Sequence, residues 1–201
     1  MITVTDNGAV RIISLAREDK ANALTRDMLV QLLAAFDAPH ARAIILTGAG
    51  KVFSAGADLD AAKAGLATDG IWQDLSHRIA ALPCLTIAAL NGTMAGGAFG
   101  MVLACDIRLC VPEAKFFYPV MRLGYLPQPS DPVRLSSLIG PARAKMILLG
   151  GAKIMADEAL AWGLVDRIVA QVDLPAAAQA LAADALAANA EHLAAIKAMI
   201  P

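Results

Sequence analysis

The stretches Phe53-Ser54-Ala55-Gly56-Ala57-Asp58-Leu59 and Asn91-Gly92-Thr93-Met94-Ala95-Gly96-Gly97 decide the fold of this chain. Each follows an apolar run that reads as a buried strand, Ala43 to Leu46 before the first and Leu85 to Leu90 before the second. Each leads into a segment of helical character. Small residues at a strand-to-helix junction let the backbone approach a ligand closely, with N–H groups of the next turn pointing outward. Two such junctions, from two strand–helix units, can set a pair of N–H donors around one developing oxyanion. That arrangement supplies the largest single stabilisation in much acyl-group chemistry.

The pattern of elements on either side of these stretches is that of an α/β fold. Ile2 to Thr5 and Ala9 to Leu15 alternate around Asp6-Asn7-Gly8, a hairpin with matching turn chemistry. Thr25 reads as the N-cap of a helix carrying Met28, Leu29, Leu32, Leu33 and Phe36 at helical spacing. Further strands are expected at Arg42 to Thr47, Leu85 to Leu90, Ile107 to Val111, Lys115 to Tyr118 and Leu164 to Val169. Helices are expected at Leu59 to Ala67, Ile71 to Leu82, Gly97 to Ala104, Val133 to Leu138, Ala142 to Leu149 and Ala156 to Trp162. From Pro175 onward the Ala-rich chain predicts one or two helices. Strands recurring with helices between them predict mainly parallel pairing with crossover helices outside. No exact internal repeat is visible. The division expected is a core over residues 1–172 and a helical tail over 173–201.

Composition narrows the function. Seventeen basic residues balance eighteen acidic ones, a formal net charge of −1, so no basic field exists to attract nucleic acid. The longest apolar run, Ile79 to Leu90, is interrupted by Pro83 and too short to span a bilayer. The N-terminus lacks a basic stretch ahead of an apolar core, so it does not read as a secretory signal, and a cytoplasmic location is expected. Hydrophobic residues make up 58% of the chain, a high share that points to a buried interface between copies. Cys84, Cys105 and Cys110 read as buried apolar residues in a reducing compartment. His40, His77 and His192 stand far apart, so no metal site is assigned.

The two glycine stretches, followed by Cys105-Asp106-Ile107-Arg108, Arg122-Leu123-Gly124 with Pro127, and Ala159-Leu160-Ala161-Trp162-Gly163-Leu164-Val165, resemble the enoyl-CoA hydratase/isomerase (crotonase) family in order and spacing. Lys20-Ala21-Asn22-Ala23-Leu24 is similar to its CoA-contacting loop. The resemblance implies a spiral of ββα units with a short helical tail, assembled as a homotrimer or hexamer. It also implies an acyl-CoA thioester as substrate, with coenzyme A as part of that substrate and no separate cofactor. By position, the enolate-stabilising donors would be the N–H groups of Ala57 and Gly97. Lys20, Ala21, Ala23, Ser54 and Gly56, with Asp58, Leu59 and Gly96 beside them, would line the CoA side. Met94, Val120, Leu123 and Tyr125 would line the acyl side.

The chain departs from the pattern at the two glutamates with which the hydratases handle water: their positions hold Gly100 and Val120. Some relatives place an aspartate in the following loop near Gln128, and Asp131 lies three residues beyond it. Asp131 is therefore the one loop carboxylate to nominate as acid/base, against the simpler reading of a helix N-cap before Pro132. Asp58 is read as a helix cap, Tyr118 and Tyr125 as packing, and Asp74 with His77 as a solvated helix face. The chain stops about where the family continues into further helices. Three readings follow: an acyl-CoA enzyme, including base-free chemistry such as decarboxylation; a catalytically silent acyl-CoA binder or assembly subunit; and a fold that no longer binds CoA. An enzyme should aim a polar side chain at the space beyond Gly97. A fold without CoA should have the N–H groups of Ala57 and Gly97 occupied by the protein itself.

Overall fold

The structure is a computed structural model that describes residues 1–200. In chain order it contains β1 (Ile2–Asn7), β2 (Val10–Leu15), α1 (Arg26–Ala35), β3 (Ala43–Gly48), β4 (Val52–Ser54), α2 (Leu59–Lys63), α3 (Ile71–Ala80), β5 (Leu85–Leu90), β6 (Thr93–Ala95), α4 (Ala98–Leu103), β7 (Ile107–Cys110) and β8 (Lys115–Phe117). There follow α5 (Val120–Leu123), α6 (Asp131–Ile139), α7 (Pro141–Leu148), β9 (Ile154–Met155), α8 (Ala156–Trp162), β10 (Arg167–Ile168), α9 (Leu174–Leu181), α10 (Ala183–Ala187) and α11 (Ala190–Ala198).

Two sheets result, ordered β1-β2-β3-β5-β7-β10 and β4-β6-β8-β9. Pairing is parallel except at the β1/β2 hairpin and between β8 and β9. β3, β5 and β7 each run through the large sheet, turn a short corner, and continue as β4, β6 and β8 in the small one before a helix closes the turn. This is a spiral of strand–strand–helix units. Successive turns touch at their corners, where a Cβ on Gly92 would lie 2.0 Å from the Lys51 carbonyl oxygen, so only glycine fits. Asn91 ties the same corners, accepting from Gly48 N–H at 3.0 Å and donating to Gly50 O at 2.9 Å.

The predicted N-cap holds, with Thr25 accepting from Met28 N–H at 3.3 Å. β5 coincides with its predicted range, and β3 is buried along most of its length, as a parallel strand covered on both faces should be. The expected strand at Leu164 to Val169 shrinks to Arg167–Ile168, because Leu164 and Val165 turn into the core off the end of α8. The tail is three helices rather than one or two. It docks on the body through Arg42, which donates to the carbonyls of Leu186 and Ala188. Lys197 does likewise, reaching Asp106 at 2.7 Å and Cys84 O at 2.8 Å.

Candidate active site

The glycine stretches are not plain loops. Val52–Ser54 and Thr93–Ala95 are the short strands β4 and β6, paired side by side, so the segments that leave them run together. Gly56 and Gly96 then face each other with φ of +89° and +55°. A Cβ on Gly56 would lie 2.7 Å from the Ala95 carbonyl oxygen and 3.3 Å from Gly96 Cα. Side chains are excluded from this contact, and the residues after it, Ala57 and Gly97, come from adjoining turns of the spiral.

The N–H groups on either side of Ala57, and the one before Gly97, are bonded within the protein. Gly56 donates to Ser54 Oγ (3.1 Å), Asp58 to Leu24 O (2.8 Å) and Gly96 to Phe117 O (3.1 Å). Those of Ala57 and Gly97 have no acceptor among the described residues. Gly97 is the residue before α4, where helix geometry leaves the N–H without an internal partner.

The 20–24 segment is zipped to this loop. Ala55 N–H donates to Ala21 O at 2.9 Å and Leu24 N–H to Gly56 O at 2.8 Å, so Ala21 and Ala23 lie alongside Ser54 and Gly56, with Lys20 exposed next to them. Ala21 and Asn22 both adopt left-handed backbone, φ +50° and +52°. The buried Asn22 side chain holds that conformation, donating to Ala49 O and Val52 O and accepting from Arg17 N–H. Asp58 caps α2, as predicted, through Asp60 and Ala61 N–H. The Arg17 guanidinium at 2.7 Å, with those backbone bonds, holds its carboxyl below the usual carboxylate range. Leu59 is exposed.

On the other side, Met94 is fully buried and Val120 nearly so, Tyr125 is partly covered, and Leu123 is half exposed. Residues that sequence reasoning missed crowd this region. Trp72 of α3 lays its ring against Gly97, where a Cβ would sit 3.0 Å from two ring carbons, and its Nε1 donates to Leu66 O at 2.7 Å. Asp74 and His77 stay on the exposed face of α3, as expected. Two cavities, of about 720 and 550 Å³, lie between α1 and α3 and beside Phe117 and Lys153; neither is lined by Ala57 or Gly97.

Asp131 corrects one expectation. It is the first residue of α6 and caps nothing; its side chain turns inward and is fully buried. Oδ2 accepts from the Tyr118 hydroxyl at 2.9 Å, while Oδ1 has no partner among the described residues. Burial pushes this carboxyl up to about 6, against the opposing pull of the Tyr118 hydrogen bond and the Arg134 charge. Tyr118 is therefore more than packing, although its ring does stack on Phe99 at 5.1 Å. A Cβ on Gly100 would lie 3.1 Å from Asp131 Oδ1. The carboxyl thus stands against Gly100, the position at which the family resemblance implies a glutamate. Beside Asp131 itself, Ser76, a polar interruption in the buried face of α3, is the sequence feature that marks this polar cluster.

Known proteins resemble this chain in sequence and in fold. The profile of the family described as enoyl-CoA hydratase/isomerase matches residues 5–200. A carnitinyl-CoA dehydratase from Salmonella typhi is 39% identical over 189 residues, covering 89% of this chain and 72% of the relative. An enoyl-CoA hydratase from Bacillus anthracis superposes with a TM-score of 0.88 at 32% identity, over 99% of this chain and 81% of that one. A Thermobifida fusca protein solved in complex with CoA does so with a TM-score of 0.89 at 30% identity, over 99% and 83%. With a match running nearly the whole length and relatives above 30% identity, the chain belongs to the enoyl-CoA hydratase/isomerase (crotonase) family.

Proposed function

We propose that this chain binds an acyl-CoA thioester with its carbonyl oxygen between the N–H groups of Ala57 and Gly97. Lys20, Ala21, Ala23, Ser54 and Gly56 then lie on the CoA side. The observation that carries this reading is the contrast at the two loops: the N–H groups of Gly56, Asp58 and Gly96 are bonded within the protein, and those of Ala57 and Gly97 are not. Fixed donors aimed at developing negative charge are worth about 2.7–4 kcal/mol each to the transition state. The CoA complex of the Thermobifida fusca relative supports the choice of ligand.

Asp131 serves as the acid/base. Gly97 and Gly100 share one face of α4, about 4.5 Å apart along the axis at 1.5 Å per residue. An acyl chain running from the oxyanion site along that face brings its first carbons toward Asp131 Oδ1. A single carboxylate suits a 1,3-proton shift better than hydration, which needs a second group to handle water. Oδ1 takes a proton from Cα of a 3-enoyl thioester, and the C–H electron pair moves into the conjugated enolate held by the two N–H groups. The proton then returns from Oδ1 to Cγ, leaving the double bond at C2–C3 and the carboxylate restored. A polar side chain in this place, and the unoccupied N–H pair, favour an enzyme over a silent binder or a fold put to another use.

The test is calorimetric titration with acetyl-CoA, crotonyl-CoA, malonyl-CoA and free CoA. Micromolar binding that prefers an acyl form is expected. A preference for malonyl-CoA with loss of CO₂ would redirect the reading to base-free decarboxylation, and no binding to any of the four would end it.

A further inference from the structure

Four segments converge around one buried carboxylate. Asp131 Oδ1 comes from α6 and faces the bare backbone of Gly100 in α4. Tyr118, between β8 and α5, pins Oδ2 and is itself fixed by burial and by stacking on Phe99 of α4. Arg134, one turn along α6, spends a guanidinium nitrogen on the hydroxyls of Ser76 and Ser130 rather than on the carboxylate. Ser76 of α3 donates in turn to Gly100 O at 3.0 Å, and Ser130 is tied to Gln73. Arg134 is the one charged group bearing on Asp131; α3 turns the neutral Ser76 and Gln73 toward the cluster, with the titratable His77 behind Gln73 at 2.6 Å, and α4 presents Gly100 and Phe99.

We propose that Tyr118 is the positioning residue of this site: by holding Oδ2 it leaves Oδ1, over the side-chain-free Gly100, as the single proton-transfer atom, so that the site's carboxylate is delivered from α6 instead of α4. The inference rests on the acyl-CoA reading above. Gly100 is then the room that the relocated group requires, since any side chain there would press on Oδ1. Throughout the proton shift Oδ2 stays bonded to Tyr118 Oη, and only Oδ1 gains and loses the proton.

The test compares the wild type with Tyr118→Phe and Asp131→Asn in three measurements. The first is the titration of the buried carboxyl in the free protein, followed by isotope-edited infrared spectroscopy. It should have a midpoint near pH 6 in the wild type, be absent in Asp131→Asn, and move upward in Tyr118→Phe, because the lost hydrogen bond favoured the ionised form. The second is deuterium wash-in from D₂O at the γ-carbon of crotonyl-CoA. It should fall by about 10²–10⁴-fold in Asp131→Asn, and its acid limb should move upward in Tyr118→Phe in parallel with the titration. The third is calorimetric affinity for crotonyl-CoA, which both variants should retain. A Tyr118→Phe protein that binds crotonyl-CoA with an unmoved midpoint and rate profile overturns the role of Tyr118 alone. A wild type that binds no acyl-CoA overturns the acyl-CoA reading and the proton transfer with it. Should Tyr118→Phe fail to fold, Gly100→Ala leaves the tyrosine in place and crowds Oδ1; undiminished wash-in by that variant overturns the proposal.

Discussion

A carboxyl buried without a full set of partners costs the fold something, and the sign of that cost with pH separates a working group from a structural one. In Asp131 burial dominates, and the folded protein favours the neutral acid, with the midpoint raised from 3.8 to about 6. A group raised in this way contributes stability that is complete below the unfolded value and is lost as pH climbs through the folded value. At 1.36 kcal/mol per unit the loss is about 3 kcal/mol between pH 4 and pH 7. Urea denaturation should therefore find Asp131→Asn equal to the wild type near pH 4 and more stable by up to about 3 kcal/mol at pH 7. An Asn variant less stable at every pH would mean that the carboxylate is a satisfied structural ion. At this scale the sequence was half legible. Asp131 stood out as a loop carboxylate, but its neighbour Pro132 suits a helix start equally well and pointed to a cap. Its contacts with Tyr118 and Gly100 depend on packing among three helices, which spacing along the chain does not encode.

Among the elements, the long apolar runs and the helices with clear periodicity were readable, Leu85–Leu90 and Ala156–Trp162 to the residue. The three-residue strands β4 and β6 were not, because they are too short for a period-two pattern and lie inside stretches chosen for small size. Those strands nevertheless set the Gly56 and Gly96 loops side by side. Gly56→Ala should break that contact twice over, by strain at a left-handed φ and by collision with the Ala95 carbonyl. The strain alone costs about 1–2 kcal/mol, and acyl-CoA affinity should fall with it. Gly8→Ala is the control, since Gly8 has a similar φ of +61° with open space around it, and it should lose stability while binding normally. Calorimetry and denaturation on the two variants read both effects; intact affinity in Gly56→Ala would detach the loop contact from ligand binding.

For the whole molecule, the spiral is a repeat of backbone and not of sequence. Each turn needs small residues at its corner and apolar residues in its strands, which many different sequences satisfy, so no repeat was visible. The surface carries the other large-scale feature. Met121, Leu123 and Leu126 are exposed in one short segment, Leu126 to 88%, in a chain already rich in hydrophobic residues. Apolar side chains grouped in this way suit a face covered by another copy. Sedimentation equilibrium should return three or six times the 20.8 kDa of one chain, and a monomer at micromolar concentration would refute that assembly. Infrared difference spectroscopy of bound crotonyl-CoA, with and without ¹³C at the thioester carbonyl, reads the contact between the two N–H groups and the carbonyl oxygen. Donation from Ala57 and Gly97 predicts a carbonyl stretch moved to lower frequency on binding, whereas a bound thioester with its solution frequency would contradict the oxyanion site.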